Sequence, residues 1–145
     1  MRLFLLASVA FTVSAGAAGA APIWTVSSAA TAAYAELFAD NGTVVRQVSL
    51  GGDIDPRGIA VVGNTGYVSG MIAGTTNLTS GVIRPFNVTT GAVSKDVATS
   101  PLFGALAFDG AGFWAADNGG LNKAFHTSFS GVKDATITLS KCDAN

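Results

Sequence analysis

Gly58-Ile59-Ala60-Val61-Val62-Gly63-Asn64-Thr65-Gly66-Tyr67-Val68-Ser69-Gly70 is matched further along the chain by Ala105-Leu106-Ala107-Phe108-Asp109-Gly110-Ala111-Gly112-Phe113-Trp114-Ala115-Ala116. Both stretches read as a short apolar strand, a tight glycine turn and an aromatic-led strand. Ile59 to Leu106 is a step of 47 residues and Tyr67 to Phe113 a step of 46. Downstream, Ile83-Arg84-Pro85-Phe86 before Thr90-Gly91 is answered by Lys123-Ala124-Phe125 before Ser130-Gly131. An earlier echo is Glu36-Leu37-Phe38 before Asn41-Gly42. Each of these glycine turns precedes a half-polar segment: Val44 to Leu50, Ala92 to Thr99, and Val132 to Leu139. The chain therefore repeats.

A repeat of about 40–45 residues with four short antiparallel strands is the signature of a β-propeller blade. The residues suit that role. An innermost strand packs on both faces and should be continuously apolar, as Ile59-Ala60-Val61-Val62 and Leu106-Ala107-Phe108 are. Outer strands tolerate alternation, as in Val93-Ser94-Lys95-Asp96-Val97. Asn41-Gly42, Asn64-Thr65-Gly66 and Ser130-Gly131 put glycine where hairpin turns need positive φ. The alanine-rich window Ala29 to Phe38 has no 3.6-residue stripe and is read as strand.

The chain has 145 residues, 49% hydrophobic and 12% charged, with a formal net charge of −1. Without a basic excess to neutralise phosphates, no nucleic-acid partner is expected. One cysteine and one histidine exclude an intrachain disulfide framework and a multi-cysteine zinc site. Met1-Arg2, the apolar run Leu3 to Val13 and the small residues Ser14 to Ala21 read as a secretory signal peptide, residues 1–20, with the cut expected at Ala18-Gly19-Ala20 and Ala15-Gly16-Ala17 as the alternative site. The apolar run is too short for a membrane span, which takes about 20 residues. The expected location is secreted or periplasmic. Residues 21–145 form the remaining domain, and Cys142 is either an incidental thiol or one whose partner lies on another chain or in further sequence.

Pro56-Arg57-Gly58-Ile59-Ala60-Val61, followed by Gly66-Tyr67-Val68-Ser69, resembles the Pro-x-Gly-apolar-Ala-apolar … Tyr-Val-small pattern of exported bacterial propellers of the YVTN/NHL-like type. Phe86-Asn87-Val88-Thr89-Thr90-Gly91 resembles the turn such blades use. The second copy departs from that pattern, with Phe113-Trp114-Ala115-Ala116 in place of tyrosine-valine. The likeness implies an all-β propeller, with a partial blade at 21–50, a blade at 54–99 and a blade at 101–140. That is fewer than the roughly 4–8 blades of a closed propeller. Either the chain is a fragment of a longer product, or it closes by self-assembly through an exposed blade face. A β-sandwich is the alternative fold.

Catalytic constellations are thin. His126 stands alone between Phe125 and Thr127, there is no Gly-x-Ser-x-Gly elbow, and His126 is read as an ordinary edge residue. Asp53, Asp55 and Asp109 flank inner strands, where loops could gather around calcium. Aspartate beside glycine or proline is more commonly a turn former. Trp114, ahead of Asp117-Asn118-Gly119-Gly120, is the best ligand candidate. A flat indole face with nearby carboxylate and amide groups suits a sugar ring. The alternative is that Trp114 or Phe113 wedges between blades. Asn41-Gly42-Thr43, Asn77-Leu78-Thr79 and Asn87-Val88-Thr89 fit the glycosylation pattern and are read as turn chemistry. The expectation is a secreted binding or scaffold module for a carbohydrate or protein. The alternatives are a fragment of a propeller hydrolase or lactonase, or a lectin assembled from several chains.

Overall fold

The computed structural model describes residues 8–9, 22–29, 31–75, 80–118 and 122–140. The signal cleavage site, the Asn77 acceptor triplet, Gly119-Gly120 and Cys142 lie outside the described residues. Twelve strands run in chain order: β1 Ser8–Val9, β2 Ile23–Ala29, β3 Ala32–Phe38, β4 Val44–Gly51, β5 Ile54–Val62, β6 Thr65–Ile72, β7 Gly81–Asn87, β8 Val97–Thr99, β9 Phe103–Phe108, β10 Phe113–Asp117, β11 Lys123–Thr127 and β12 Lys133–Thr138. No described residue is helical, so no helix there is long and apolar enough to cross a membrane. The protein is all-β.

The strands form three four-stranded antiparallel sheets in sequence order, β1-β2-β3-β4, β5-β6-β7-β8 and β9-β10-β11-β12. β1 falls within the expected leader and pairs only Ser8 with Val26 and Val9 with Thr25. The alanine-rich window is strand. Ala33 and Ala35 on β3 are fully buried, and their small side chains let the second sheet approach. The first sheet packs on the second through Val26, Ala35, Val48 and Leu50 against Ile59, Val68 and Phe86. The second packs on the third through Ala60 and Ile83 against Phe103, Leu106, Phe113 and Phe125. The main contacts between sheets run first to second and second to third, and the stack is not closed into a ring.

The second and third sheets approach closely where β5 meets β9. A Cβ on Gly58 of β5 would lie 2.5 Å from the Gly104 carbonyl oxygen and 2.8 Å from Ala105 Cα, both on β9. Glycine is therefore required there by close backbone approach. Two details depart from the sequence expectation. The positive φ in the β5–β6 turn belongs to Gly63, at 58°, while Gly66 sits within β6 beneath the Phe86 ring, 2.2 Å from where its Cβ would stand. The half-polar segment Ala92 to Thr99 is regular strand only over Val97–Thr99. Its earlier part lies against Pro85, which accepts from the Ser94 N–H at 2.8 Å but has no N–H to return. Two acceptor asparagines act as turn formers: Asn41 Oδ1 accepts from the Thr43 N–H at 3.0 Å, and Asn87 Oδ1 from the Thr89 N–H at 2.9 Å.

Candidate functional site

Strand alternation decides what the third sheet presents outward. Phe113 and Ala115 of β10 face the second sheet and are 0% and 1% exposed. Trp114 and Ala116 consequently face away. Trp114 pairs across the sheet with Ala107 on β9 and His126 on β11, and His126 pairs with Ala135 on β12. Ala116 pairs with Ala124, and Ala124 with Ile137, which is 49% exposed. The outward face is thus an indole set among alanines and an isoleucine, with no further sheet of the described residues over it.

One polar group interrupts this face. The His126 ring lies 5.2 Å from the Trp114 ring, tilted by 52°. Its Nδ1 hydrogen-bonds Asp134 Oδ1 on β12. Its Nε2 stands 3.1 Å from Asp109 Oδ2, off the line of the N–H, a charge contact and not an aligned hydrogen bond. Asp109 is fixed by its turn: Oδ1 accepts from the N–H groups of Ala111 at 2.9 Å and Gly112 at 3.0 Å. Those backbone bonds, then the His126 charge, hold the Asp109 carboxyl below its ordinary range. The bond to Asp134 and the two flanking carboxylates raise His126 above its ordinary value. The result is a histidine ring held between two carboxylates on an apolar surface.

The sequence-derived candidates are distributed as follows. Trp114 lies with His126 and Asp109 near the start of β10. Asp117 and Asn118 lie at its far end, three and four residues on at about 3.3 Å rise each. There Asp117 pairs with Phe103, and the Asn118 N–H donates to the Leu102 carbonyl at 3.2 Å. Asp53, Asp55 and Asp109 do not converge. Asp55 pairs with Arg57 at 2.6 Å, and Asp53 pairs with Arg84 at 2.7 Å. Asp109 and Asp134 sit against different ring nitrogens of His126 and so do not share one cation position. Among the described residues no group of three or more His, Cys, Asp or Glu is placed to hold a metal.

Arg84 carried no functional expectation in the sequence, yet it organises a second charged cluster, with Asp53 and Asp96. Its side chain is 6% exposed. Nε and Nη2 bond the Asp96 carboxylate at 2.7 and 2.6 Å, and Nη1 and Nη2 bond Asp53 at 2.7 and 3.1 Å. Nη1 also bonds the Leu50 carbonyl at 2.6 Å, tying the first sheet to the second. These carboxylates hold the guanidinium firmly charged. It borders an open cleft of about 590 Å³, but its donors are already committed. Arg84 is a clasp. A lone arginine after Val82-Ile83 in an apolar strand was the available signal, since a buried charge needs built-in partners.

The fold and this surface define a class: an all-β protein of sequentially stacked four-stranded sheets in which, among the described residues, the outward face of the third sheet has no sheet packed on it. No family model matches the chain, and no curated protein does. Among solved structures, a protein of unknown function from Bacteroides caccae shares the fold, with a TM-score of 0.54 at 10% sequence identity. The alignment covers 82% of this chain and 42% of that one. The chain thus spans less than half the length of this neighbour.

Proposed function

We propose that this protein is an exported binding or scaffold module of β-propeller type, working through the outward face of its third sheet. One observation carries the reading: that sheet turns Phe113, Ala115 and Phe125 into its junction with the second sheet and sets Trp114, Ala107, Ala135 and Ile137 on the opposite face, against which no other sheet of the described residues packs. An apolar patch bordered by charges on a soluble chain marks an interaction surface. Blade-like stacking supports the propeller reading. Each sheet is a four-stranded meander, and β5 of the second lies directly against β9 of the third, as inner strands do around an axis. The resemblance of Pro56 to Ser69 to exported YVTN/NHL-like blades points the same way.

The experiment is Ala107→Arg, which sets a charge in the middle of the outward face. Association of the chain with a partner or with itself is read by light scattering, and folding by circular dichroism. The expected result is lost association with an unchanged β spectrum. Unchanged association overturns the assignment of this face. Calcium-dependent turnover of esters or lactones would support the hydrolase instead. Retention on immobilised sugars that disappears in Trp114→Ala would support the lectin.

A further inference from the structure

We infer that two copies of this chain close on each other head to tail, the outward face of each third sheet seating on the outward face of the other copy's first sheet, with Trp114 against Phe38. This rests on the reading above that the third sheet's outward face is a docking surface, and it names the partner.

The two junctions within the chain supply the pattern. The second strand of each sheet carries one large aromatic on its forward face. Trp24 on β2 meets Phe86 of the second sheet, ring centroids 5.6 Å apart. Tyr67 on β6 meets Phe113 of the third sheet, 4.8 Å apart. Register identifies the third member: Tyr67 pairs with Ala60 and Pro85, and Trp114 pairs with Ala107 and His126. Trp114 therefore occupies in the third sheet the place Tyr67 occupies in the second, and among the described residues no next sheet stands before it.

The receiving position can be traced in the same way. In the second sheet it is the pair Gly66–Phe86, with the phenylalanine on the third strand. In the third sheet it is the pair Phe113–Thr127, with the phenylalanine on the second strand. The corresponding pair in the first sheet is Ile23–Phe38. Among the described residues no preceding sheet covers it: Ile23 is 41% exposed and Phe38 half-buried. One end of the stack thus lacks an acceptor, and the other end carries an acceptor without a donor.

A second copy satisfies both ends by repeating the junction already made twice within the chain. Three sheets from each of two copies give six around one axis, within the roughly 4–8 of closed propellers. A two-fold ring of this kind contains two identical junctions, each joining unlike faces. Trp114, Phe38 and Ile23 all lie outside the expected leader.

The test uses two exposed substitutions in the whole chain, Ala135→Arg on the third sheet's face and Ile23→Arg on the first. By light scattering the parent is expected at twice the mass of one chain, and each variant at the mass of one, with unchanged circular dichroism. Mixing the two variants restores the doubled mass, because one junction of the mixed pair then has both faces unsubstituted. A parent of single-chain mass at 100 μM overturns the proposal. So does a doubled mass that Ile23→Arg leaves intact, which keeps the third sheet as a docking surface but removes the first sheet as its partner. If neither variant alters any association of the chain, the docking surface itself is wrong.

Discussion

The ring of Tyr67 on β6 lies 4.8 Å from that of Phe113 on β10, across the junction of the second and third sheets. Phe129 stands 5.4 Å from Tyr67 and 5.2 Å from Phe113, completing a cluster at one end of that junction. Phe113 is fully buried, so Phe113→Ala removes a core ring and leaves a cavity. The expected cost is about 3–5 kcal/mol, read by urea denaturation. Tyr67→Phe keeps the ring pair and should cost under about 1 kcal/mol.

Gly58 tests the close approach of β5 and β9. In Gly58→Ala the added methyl meets backbone at 2.5 and 2.8 Å, which no side-chain rotation relieves. A loss of about 2–3 kcal/mol is expected. Gly63→Ala, in open space but at a φ of 58°, should lose only about 1 kcal/mol. Equal losses at the two positions would contradict the tight spacing.

Arg84 should be unforgiving, and its two carboxylates unequal. Arg84→Met strands Asp96, whose side chain is 23% exposed, and frees the Leu50 carbonyl. The expected loss is about 3 kcal/mol, at the low end for breaking a buried pair, because Asp53 is 66% exposed and regains water. Asp53→Asn should cost under about 1 kcal/mol, and Asp96→Asn more. Denaturation midpoints at pH 7 check the order.

His126 gives a pH signature. Its folded value is raised above the ordinary 6.5 by Asp134, and further by Asp109. A raised folded value means stability that is complete below 6.5 and is lost as pH climbs through the raised value. The partners must also be ionised, which fails below about pH 4. The melting-temperature advantage of the parent over His126→Gln should therefore plateau between about pH 4 and 6.5 and shrink on either side. An advantage that grows with alkalinity would contradict the ion pair.

Much of the fold was legible because apolar period and turn chemistry are local properties. Ile59-Ala60-Val61-Val62 and Leu106-Ala107-Phe108 fall in β5 and β9, and Asn41-Gly42 and Ser130-Gly131 mark turns with positive φ. The pairing of 46- and 47-residue steps located the repeat but aligned Tyr67 with Phe113. Cross-strand register instead equates Tyr67 with Trp114, because one sheet places its receiving ring on the second strand and another on the third. The His126 cluster was beyond reach of the sequence. Asp109, His126 and Asp134 are brought together only by the β10–β11–β12 register, and a lone histidine gives no spacing to read. The Arg84 clasp was hidden likewise, since Asp53 lies 31 residues away. Closure of the stack depends on what covers its ends, which no local pattern encodes.

The most direct measurement uses tryptophan emission. The chain has two tryptophans, so Trp24→Phe leaves Trp114 as the sole reporter on the third sheet's outward face. On concentration from 0.1 to 100 μM, its emission should shift to the blue in step with the rise in mass, as the indole becomes covered. An emission maximum that does not move while the mass doubles would contradict the account.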